Sequence, residues 1–422
     1  MENRLAYPGW RPGLAQRFAY SLTEPVSAHP VRRSFRPRAD RAEDLAHAFA
    51  ASRILRAIGA AVSGAKQVCA LSSPDAHVGR ILMASLRVET RGKRRPDSAR
   101  AAAAAAPTLP DDTESVVLDI GGRDVRLTNL RKPFWAERGI TKRDLLQYYA
   151  TVAPVLLPHL ADRAMVMKRY PNGAAGECFF MKRAPQPRPP WIETCSITHG
   201  SGNVIAFPIV QDLASLLWLV NLGCIDLNPW YARCDDVDRP DFVHFDLDPV
   251  PPATFDAVRA TALVLRDALT ALRMPAHVKT TGSKGVHVYV PIVRGPIQKA
   301  VWTFAKQLAL VLADRHPDLI TAEYRIAKRP AGRVLVDYNQ NAWGRTLASV
   351  YSPRPTPDAT VSTPITWPEL EAGATTGDFR IDNVSARIAA LGDLWAPMAD
   401  RRHRFDLSPL LAPPARARAQ RR

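Results

Sequence analysis

Three aspartates carry the chemistry that this sequence can do. Asp246 and Asp248 lie one residue apart in the run DFVHFDLDPVPP, at the end of an apolar segment, and Asp337 closes a second apolar run, RVLVDYNQN. Alternate side chains of a strand share a face, so His244, Asp246 and Asp248 point one way while Phe245 and Leu247 point the other. Two like charges held side by side cost free energy unless a cation lies between them, and a divalent metal is the usual partner of such a pair. Pro249 cannot donate to a ladder, so the strand ends there and leaves the pair at its C-terminal edge. With Asp337 added, the inventory is that of a two-metal phosphoryl-transfer site, in which metals ~3.5–4 Å apart activate a hydroxyl and hold a leaving group. The plainer reading is a solvated strand end with two acids.

A second stretch supplies phosphate chemistry. TTGSKGVH, residues 280–287, combines hydroxyls, a glycine-loosened backbone, Lys284 and His287, all suited to phosphate oxygens. Alone it is weak, because Gly-Ser-Lys-Gly turns are common and a plain hairpin explains it equally well. VHFDLDPV also fits the strand-borne DxDx(T/V) nucleophile motif of haloacid-dehalogenase phosphatases. That chemistry needs a later Gly-Asp acid pair, which LGDLWAPMAD spaces too widely.

The elements that must position these residues follow from pattern. SVVLDIGGRDVRLTNL reads as two alternating strands around Gly121-Gly122, a hairpin signal. TKRDLLQYYATVAPVLL is a helix with Thr141 and Asp144 placed as a capping box. DLASLLWLVNLG is apolar on most faces and should be a buried helix, and FDAVRATALVLRDALTAL is amphipathic. PAHVKTTGSKGVHVYVPI gives two strand-like runs about a turn. Strands and helices alternate through this stretch, so an α/β or α+β core is expected over residues 111–400. LGDLWAPM near 391–398 should close it, leaving 401–422 as a basic tail. Residues 1–110 mix Pro, Arg and Ala without steady period, apart from a possible helix over 43–62, and are expected to be a mostly disordered extension and linker.

The formal charge of +17 invites a nucleic-acid reading, but +10 of it lies in residues 1–110 and +4 in the last eleven, which leaves +3 for 111–411. A polyanion site must therefore be argued from local clusters. The five cysteines form no CxxC pair, which suits a reducing cytosol and argues against a zinc knuckle. No apolar run approaches the ~20 residues needed to span a bilayer. A soluble, cytoplasmic, nucleoid-associated protein is expected, with no membrane partner.

The ordered series LTNLRKPFW, TKRDLLQYY, MKRYPNG, GECFFMKRAP, VQDLASLLWLVNLGCIDLNPW, DRPDFVHFDLDP, TTGSKGVHVYVP, VLVDYNQNAWGRTLASVYSPRP and VSTPITWPEL closely resembles the polymerase domain of bacterial ligase D. That family belongs to the archaeo-eukaryotic primase superfamily and serves non-homologous end joining. The resemblance covers roughly residues 115–400 and implies a primase-type core with an RRM-like catalytic sheet. It implies that Asp246, Asp248 and Asp337 bind two catalytic metals, Mn2+ in preference to Mg2+. It places Thr281, Ser283, Lys284, Gly285 and His287, with Arg354 of YSPRP and Asn228, on the incoming nucleoside triphosphate. Asn129, Lys132 and Lys142 match the pocket that reads a 5′-phosphate across a DNA gap, and Phe179 and Phe180 match the aromatic pair that stacks on the template end. The implied activity is template-directed, ribonucleotide-preferring addition at gapped or 3′-overhanging, 5′-phosphorylated DNA ends. Ku and a separate ATP-dependent DNA ligase are the expected partners, since no KxDG lysine motif is present. A catalytically weak DNA-end-binding module is the alternative.

The sequence also departs from the family. Relatives usually read LHPW where this chain has LNPW, so Asn228 stands where a histidine contacts the nucleotide, and an amide cannot carry the imidazolium charge. Thr281 replaces a usual serine, Asp212 a usual asparagine, and His244 stands at a plain strand position, as a packed neutral histidine or as a further metal ligand.

Overall fold

The structure, a computed structural model, describes residues 106–411. The possible helix over 43–62 and the rest of the chain before residue 106 lie outside the described residues. The last residues of the expected linker do not: Leu109 is buried in the core and its carbonyl accepts from Arg143.

The hairpin expected around Gly121-Gly122 pairs β1 (Ser115–Asp119) with β2 (Asp124–Thr128), and both glycines take the positive φ that the turn needs. Two short strands, β3 (Pro133–Trp135) and β4 (Ile140–Thr141), lead into α1 (Lys142–Leu160). That helix starts where its cap predicts: Asp144 accepts from the Thr141 N–H at 2.8 Å, and the Asp144 N–H donates back to the Thr141 hydroxyl at 3.3 Å. Next come β5 (Met165–Arg169), β6 (Phe179–Met181), β7 (Thr194–Thr198), β8 (Val204–Pro208), α2 (Leu213–Asn221) and β9 (Cys224–Pro229). α2 is the buried helix expected from its all-round apolar sequence, capped by Asp212 through the Ser215 N–H at 2.8 Å. β5 is the middle strand of a three-stranded antiparallel sheet, with β6 and β9 on its edges.

The second half holds β10 (Phe242–Pro249), α3 (Phe255–Ala271), β11 (His277–Thr280), β12 (Val286–Pro291), α4 (Gln298–Arg315), β13 (Ile320–Thr321), β14 (Val334–Asp337) and β15 (Pro364–Ile365). Its sheet runs β13-β14-β10-β12-β11-β15, antiparallel throughout except for β13 beside β14. Read as β10-α3-β11-β12-α4-β14 along the chain and β14-β10-β12-β11 in space, this is the βαββαβ unit of an RRM-like sheet. α3 and α4 both lie against β10. Phe245 and Leu247 join Val258, Leu265, Phe304 and Leu308 in one apolar core, which leaves the other face of β10 to His244, Asp246 and Asp248, as strand alternation requires.

Two expectations are revised. The domain does not close near 398: the Phe405 N–H donates to the Pro291 carbonyl at 2.9 Å and Leu407 is fully buried, so residues 401–411 of the expected tail pack on the fold. The cysteines are not all unpaired. Cys195 of β7 forms a disulfide with Cys234, just beyond β9, while Cys178 and Cys224 are free. Nothing in a 39-residue separation without a CxxC signature announces that pair. Among the described residues no helix is long and apolar enough to cross a membrane.

The start of β10 is anchored by a buried ion cluster. Arg163 grips both oxygens of Asp241 at 2.7 and 2.9 Å, and Arg233 donates to the same carboxylate at 3.0 Å. Burial opposes ionisation of Asp241, yet the two guanidinium groups win and pull its carboxyl down to about 2.

Candidate active site

Register assembles the site as one row. Lys279 of β11 stands opposite His287 of β12, His287 opposite Asp246 of β10, and Asp246 opposite Asp337 of β14. Asp248 follows Asp246 on the same face, two residues along. The valines of β12 alternate with these polar residues and point into the helix-covered core.

Burial, first of all, holds the three carboxyls above their ordinary range. Burial pushes Asp246 up to about 6. Asp248 is held up at about 7, first by burial and then by the charges of Asp246 and Asp337, and Asp337 is raised for the same reasons. Asp337 accepts from the Asn339 N–H at 2.8 Å and the Gln340 amide at 3.1 Å. Asp246 Oδ1 is buried without a hydrogen bond; His287 Nε2 stands 3.2 Å away but out of line. No group of three or more His, Cys, Asp or Glu among the described residues is drawn together, as it stands, to hold a metal ion. The hard oxygen set, the orphaned Asp246 oxygen and the raised carboxyls are nonetheless what a divalent cation satisfies.

The TTGSKGVH turn is pressed onto this row. Gly285 touches the β10 backbone so closely that a Cβ there would collide with the Leu247 carbonyl, and Gly282, at φ +65°, leaves no room for one beside Arg354 Cγ. The Thr281 hydroxyl accepts from the N–H groups of Ser283 and Gly285 at 3.0 and 3.1 Å, which folds the turn.

A groove of about 490 Å³ opens above the row. Its walls include Asp246, Asp248, Thr281, Ser283 and His287 from the large sheet and Lys168, Phe180, Asp226 and Asn228 from the small one, with Arg345 and Arg354 from the loops after β14. Of the residues expected on the nucleotide, Lys284 alone among those with side chains is not in this wall; it is exposed at the tip of the turn. Asn228 donates its amide to the Asp226 carbonyl at 3.1 Å. His244 does not reach the groove. It is buried, stacked on Tyr289 with ring centroids 5.1 Å apart, and burial pushes it down to about 3, so it is the packed neutral histidine rather than a further ligand.

Sequence reasoning missed Lys168, Asp226, Lys279 and Arg345. Asp226 was within reach, since it shares a face of β9 with Asn228 by the same alternation that pairs Asp246 with Asp248. Its carboxylate lies 3.7 Å from Lys168 Nζ and 3.8 Å from Arg354 Nε, and its Oδ1 is buried without a partner. The Gly-Asp of LGDLWAPMAD is no acid pair for a phosphatase: Asp393 accepts from the Tyr351 hydroxyl at 2.6 Å and the Trp395 N–H at 2.8 Å, away from the groove.

The β5–β6 ribbon divides two surfaces. Lys168 pairs with Phe180 and Arg169 with Phe179, so the two couples face opposite ways. Phe180, 64% exposed with Lys168 Nζ 5.8 Å from its ring, lines the groove. Phe179, 42% exposed, lies against Arg169, whose charge also acts on Lys142. Asn129, Lys132 and Lys142 do come together: the Lys132 N–H donates to the Asn129 carbonyl at 3.1 Å, and the Lys142 N–H to the Lys132 carbonyl at 2.9 Å. Asn129 has φ +55°, a conformation asparagine tolerates. Lys142 opens α1 and donates through Nζ to the Thr128 carbonyl at 2.6 Å. Burial, then the charges of Lys132 and Arg169, push its ammonium down to about 8.

Comparison with known proteins agrees with this geometry. The family described as LigD, primase-polymerase domain, matches residues 141–395. The chain is 35% identical over 276 residues to the multifunctional non-homologous end joining protein LigD of Mycolicibacterium smegmatis, covering 65% of this chain and 36% of that protein. It is 33% identical over 296 residues to the multifunctional non-homologous end joining DNA repair protein LigD of Mycobacterium tuberculosis, covering 67% and 38%. The structure resembles that of the polymerase domain from Mycobacterium tuberculosis ligase D in complex with DNA, with a TM-score of 0.61 and 31% identity over 65% of this chain and 97% of that one. The chain thus spans a little over a third of the length of these two curated relatives.

Proposed function

Because the chain belongs to the LigD primase-polymerase domain family, we propose that it is a template-directed nucleotidyltransferase that fills or extends DNA ends in non-homologous end joining. The observation that supports this best is that Asp246, paired across the sheet with Asp337, lines a groove together with Asp248, and that the same groove is walled by Lys168, Arg345 and Arg354. Asp246, Asp248 and Asp337 would hold two divalent cations, Mn2+ in preference to Mg2+, whose charge would lower the pKa of a primer 3′-hydroxyl and offset the charge of a pyrophosphate leaving group. Arg354, Arg345 and Lys168 offset the charge of the triphosphate, and the Thr281–Gly285 turn fixes its position. Phe180, at the groove, stacks on the template base, while Asn129, Lys132 and Lys142 take the downstream 5′-phosphate on the far side of the β5–β6 ribbon.

Ribonucleotide preference, action with Ku and a separate ATP-dependent ligase, and a cytoplasmic, nucleoid-associated setting are part of the same proposal and rest on the family. Asn228 favours a slower enzyme, since it already spends one amide donor on Asp226. The test is primer extension across a gapped, 5′-phosphorylated duplex, with ATP and dATP competing opposite a template T in Mn2+ or Mg2+. Templated ATP addition that disappears in Asp246→Asn supports the proposal. A protein that binds the gap without extending it is instead the end-binding module.

A further inference from the structure

Lys279 sits in the middle of β11 at 1% exposure, at the end of the row that holds the acids. Burial pulls its ammonium well below the usual lysine range, yet Nζ has three polar partners in reach, one for each N–H of an ammonium: Ser362 Oγ at 2.5 Å, His287 Nδ1 at 2.8 Å and the Ala348 carbonyl at 3.1 Å. Ser362 gives its own proton to the Thr280 carbonyl at 2.9 Å, so towards Lys279 it accepts. A ring nitrogen that faces a donor must be the bare one. His287 then carries its proton on Nε2, 3.2 Å from Asp246 Oδ1 and on the groove side. The opposite assignment, a neutral amine accepting from Nδ1–H, sets a bare Nε2 against the Asp246 carboxylate, lone pair against lone pair. The hydrogen bond with Lys279 therefore selects the Nε2–H tautomer, and the nearby charge of Asp246 favours it without a hydrogen bond of its own.

We propose that Lys279 is a positioning residue that fixes His287 as the Nε2–H tautomer, so that the imidazole turns a donor, and not a lone pair, towards the groove and the phosphate oxygens of an incoming nucleotide. This deepens the polymerase reading and rests on it for the identity of the ligand. Lys279 itself touches neither substrate nor the acids; it acts through the ring. The reasoning is that of any histidine whose second nitrogen is held by a neighbour: the neighbour decides which nitrogen works.

The test is a long-range 1H–15N correlation spectrum of the full chain labelled with 15N-histidine, with His287→Gln used to assign the ring. A pyrrole-type Nε2 and a pyridine-type Nδ1 are expected in the wild type near neutral pH. Lys279→Met should lose that pattern and lower kcat for nucleotide addition by about 10- to 100-fold while the KM for DNA stays within error. Lys279→Arg, which keeps donors towards Nδ1, should recover part of the loss. A wild-type ring protonated on Nδ1, or a folded Lys279→Met with wild-type kcat, overturns the proposal. Should Lys279→Met fail to fold, the wild-type spectrum decides. A wild type that extends no primer refutes the polymerase reading, and the spectrum still decides the role of Lys279.

Discussion

Asp246 and Asp337 face each other directly across the β10–β14 ladder, two buried carboxylates in one register position. Like charges directly opposite destabilise a sheet. The sequence keeps that conflict where a valine pair would have removed it, which fits the cation-binding role proposed for the two acids.

Stability should record the conflict. Asp246 at about 6 and Asp248 at about 7 both lie above the ordinary carboxylate range. The folded protein therefore holds more protons than the unfolded chain between pH ~4 and ~7, and their contribution is lost as pH rises through that window. Other groups also titrate, so the difference between wild type and Asp248→Asn isolates the effect. That difference in melting temperature should favour the variant more at pH 7.5 than at pH 5, and Mn2+ should stabilise only the wild type appreciably. A pH-independent difference would mean the acids are relaxed already.

Asp246→Asn and Asp337→Asn should each abolish nucleotide addition while changing gapped-duplex affinity no more than a few-fold, because they remove cation ligation and leave the phosphate clamps in place. Melting temperature should hold or rise, as one buried charge is gone. Primer extension near the wild-type rate in either variant would show that the row is not the catalytic centre.

The anchor of β10 should behave in the opposite way. Asp241→Asn leaves Arg163 and Arg233 facing a neutral amide, and breaking such a buried cluster costs roughly 3–5 kcal/mol. The loss should appear as a lower denaturant midpoint with the slope unchanged. Because the Asp241 carboxyl is held at about 2, its stabilising effect is complete above the unfolded value near pH 4 and is lost as pH falls through about 2, so wild type and variant should converge only in strong acid.

Phe180→Ala should weaken binding of a single-stranded template overhang by about 1–3 kcal/mol, the usual worth of one base stacked on an aromatic ring. Phe179→Ala should leave that step nearly intact, because it lies on the other face of β6. Fluorescence anisotropy with a 3′-overhanging duplex separates the two, and equal losses would mean that both rings serve one base.

Local pattern carried most of this fold. The capping box at Thr141, the buried helix after Asp212, and the alternation that puts Asp246 and Asp248 on one face were all legible, because each depends on residues within one turn or one strand. What sequence could not supply was register between strands. That Lys279, His287, Asp246 and Asp337 form a single row depends on four strands pairing in an order the chain does not follow. Lys279 escaped notice for the same reason: beside Lys284, exposed in a glycine turn, the lysine five residues earlier looks like an ordinary strand residue. Cys195 and Cys234 meet only once β7 and the loop after β9 are folded together.

Lys132 and Lys142 should specify the downstream 5′-phosphate rather than DNA in general. Lys142 is the first residue of α1, where an anion gains from the helix dipole as well as from the ammonium groups. One of its three donors is spent on the Thr128 carbonyl, which aims the side chain and leaves two for a phosphate. Each charge-assisted contact is worth roughly 1.5–3 kcal/mol, so the double Ala variant should lose at least about tenfold of its preference for a phosphorylated over an unphosphorylated gap. Salt cannot imitate this, because screening lowers affinity for both ends together. The state of Lys142 adds a second signature. Its ammonium, at about 8, is charged below that value and neutral above it. Discrimination in the wild type should therefore fall as pH rises from 7 to 9, while the double variant shows a ratio near one at both. The measurement is the ratio of the two dissociation constants at fixed salt. A wild-type ratio that does not change with pH would remove Lys142 from the phosphate contact, and a mutant ratio equal to wild type would remove the pocket altogether.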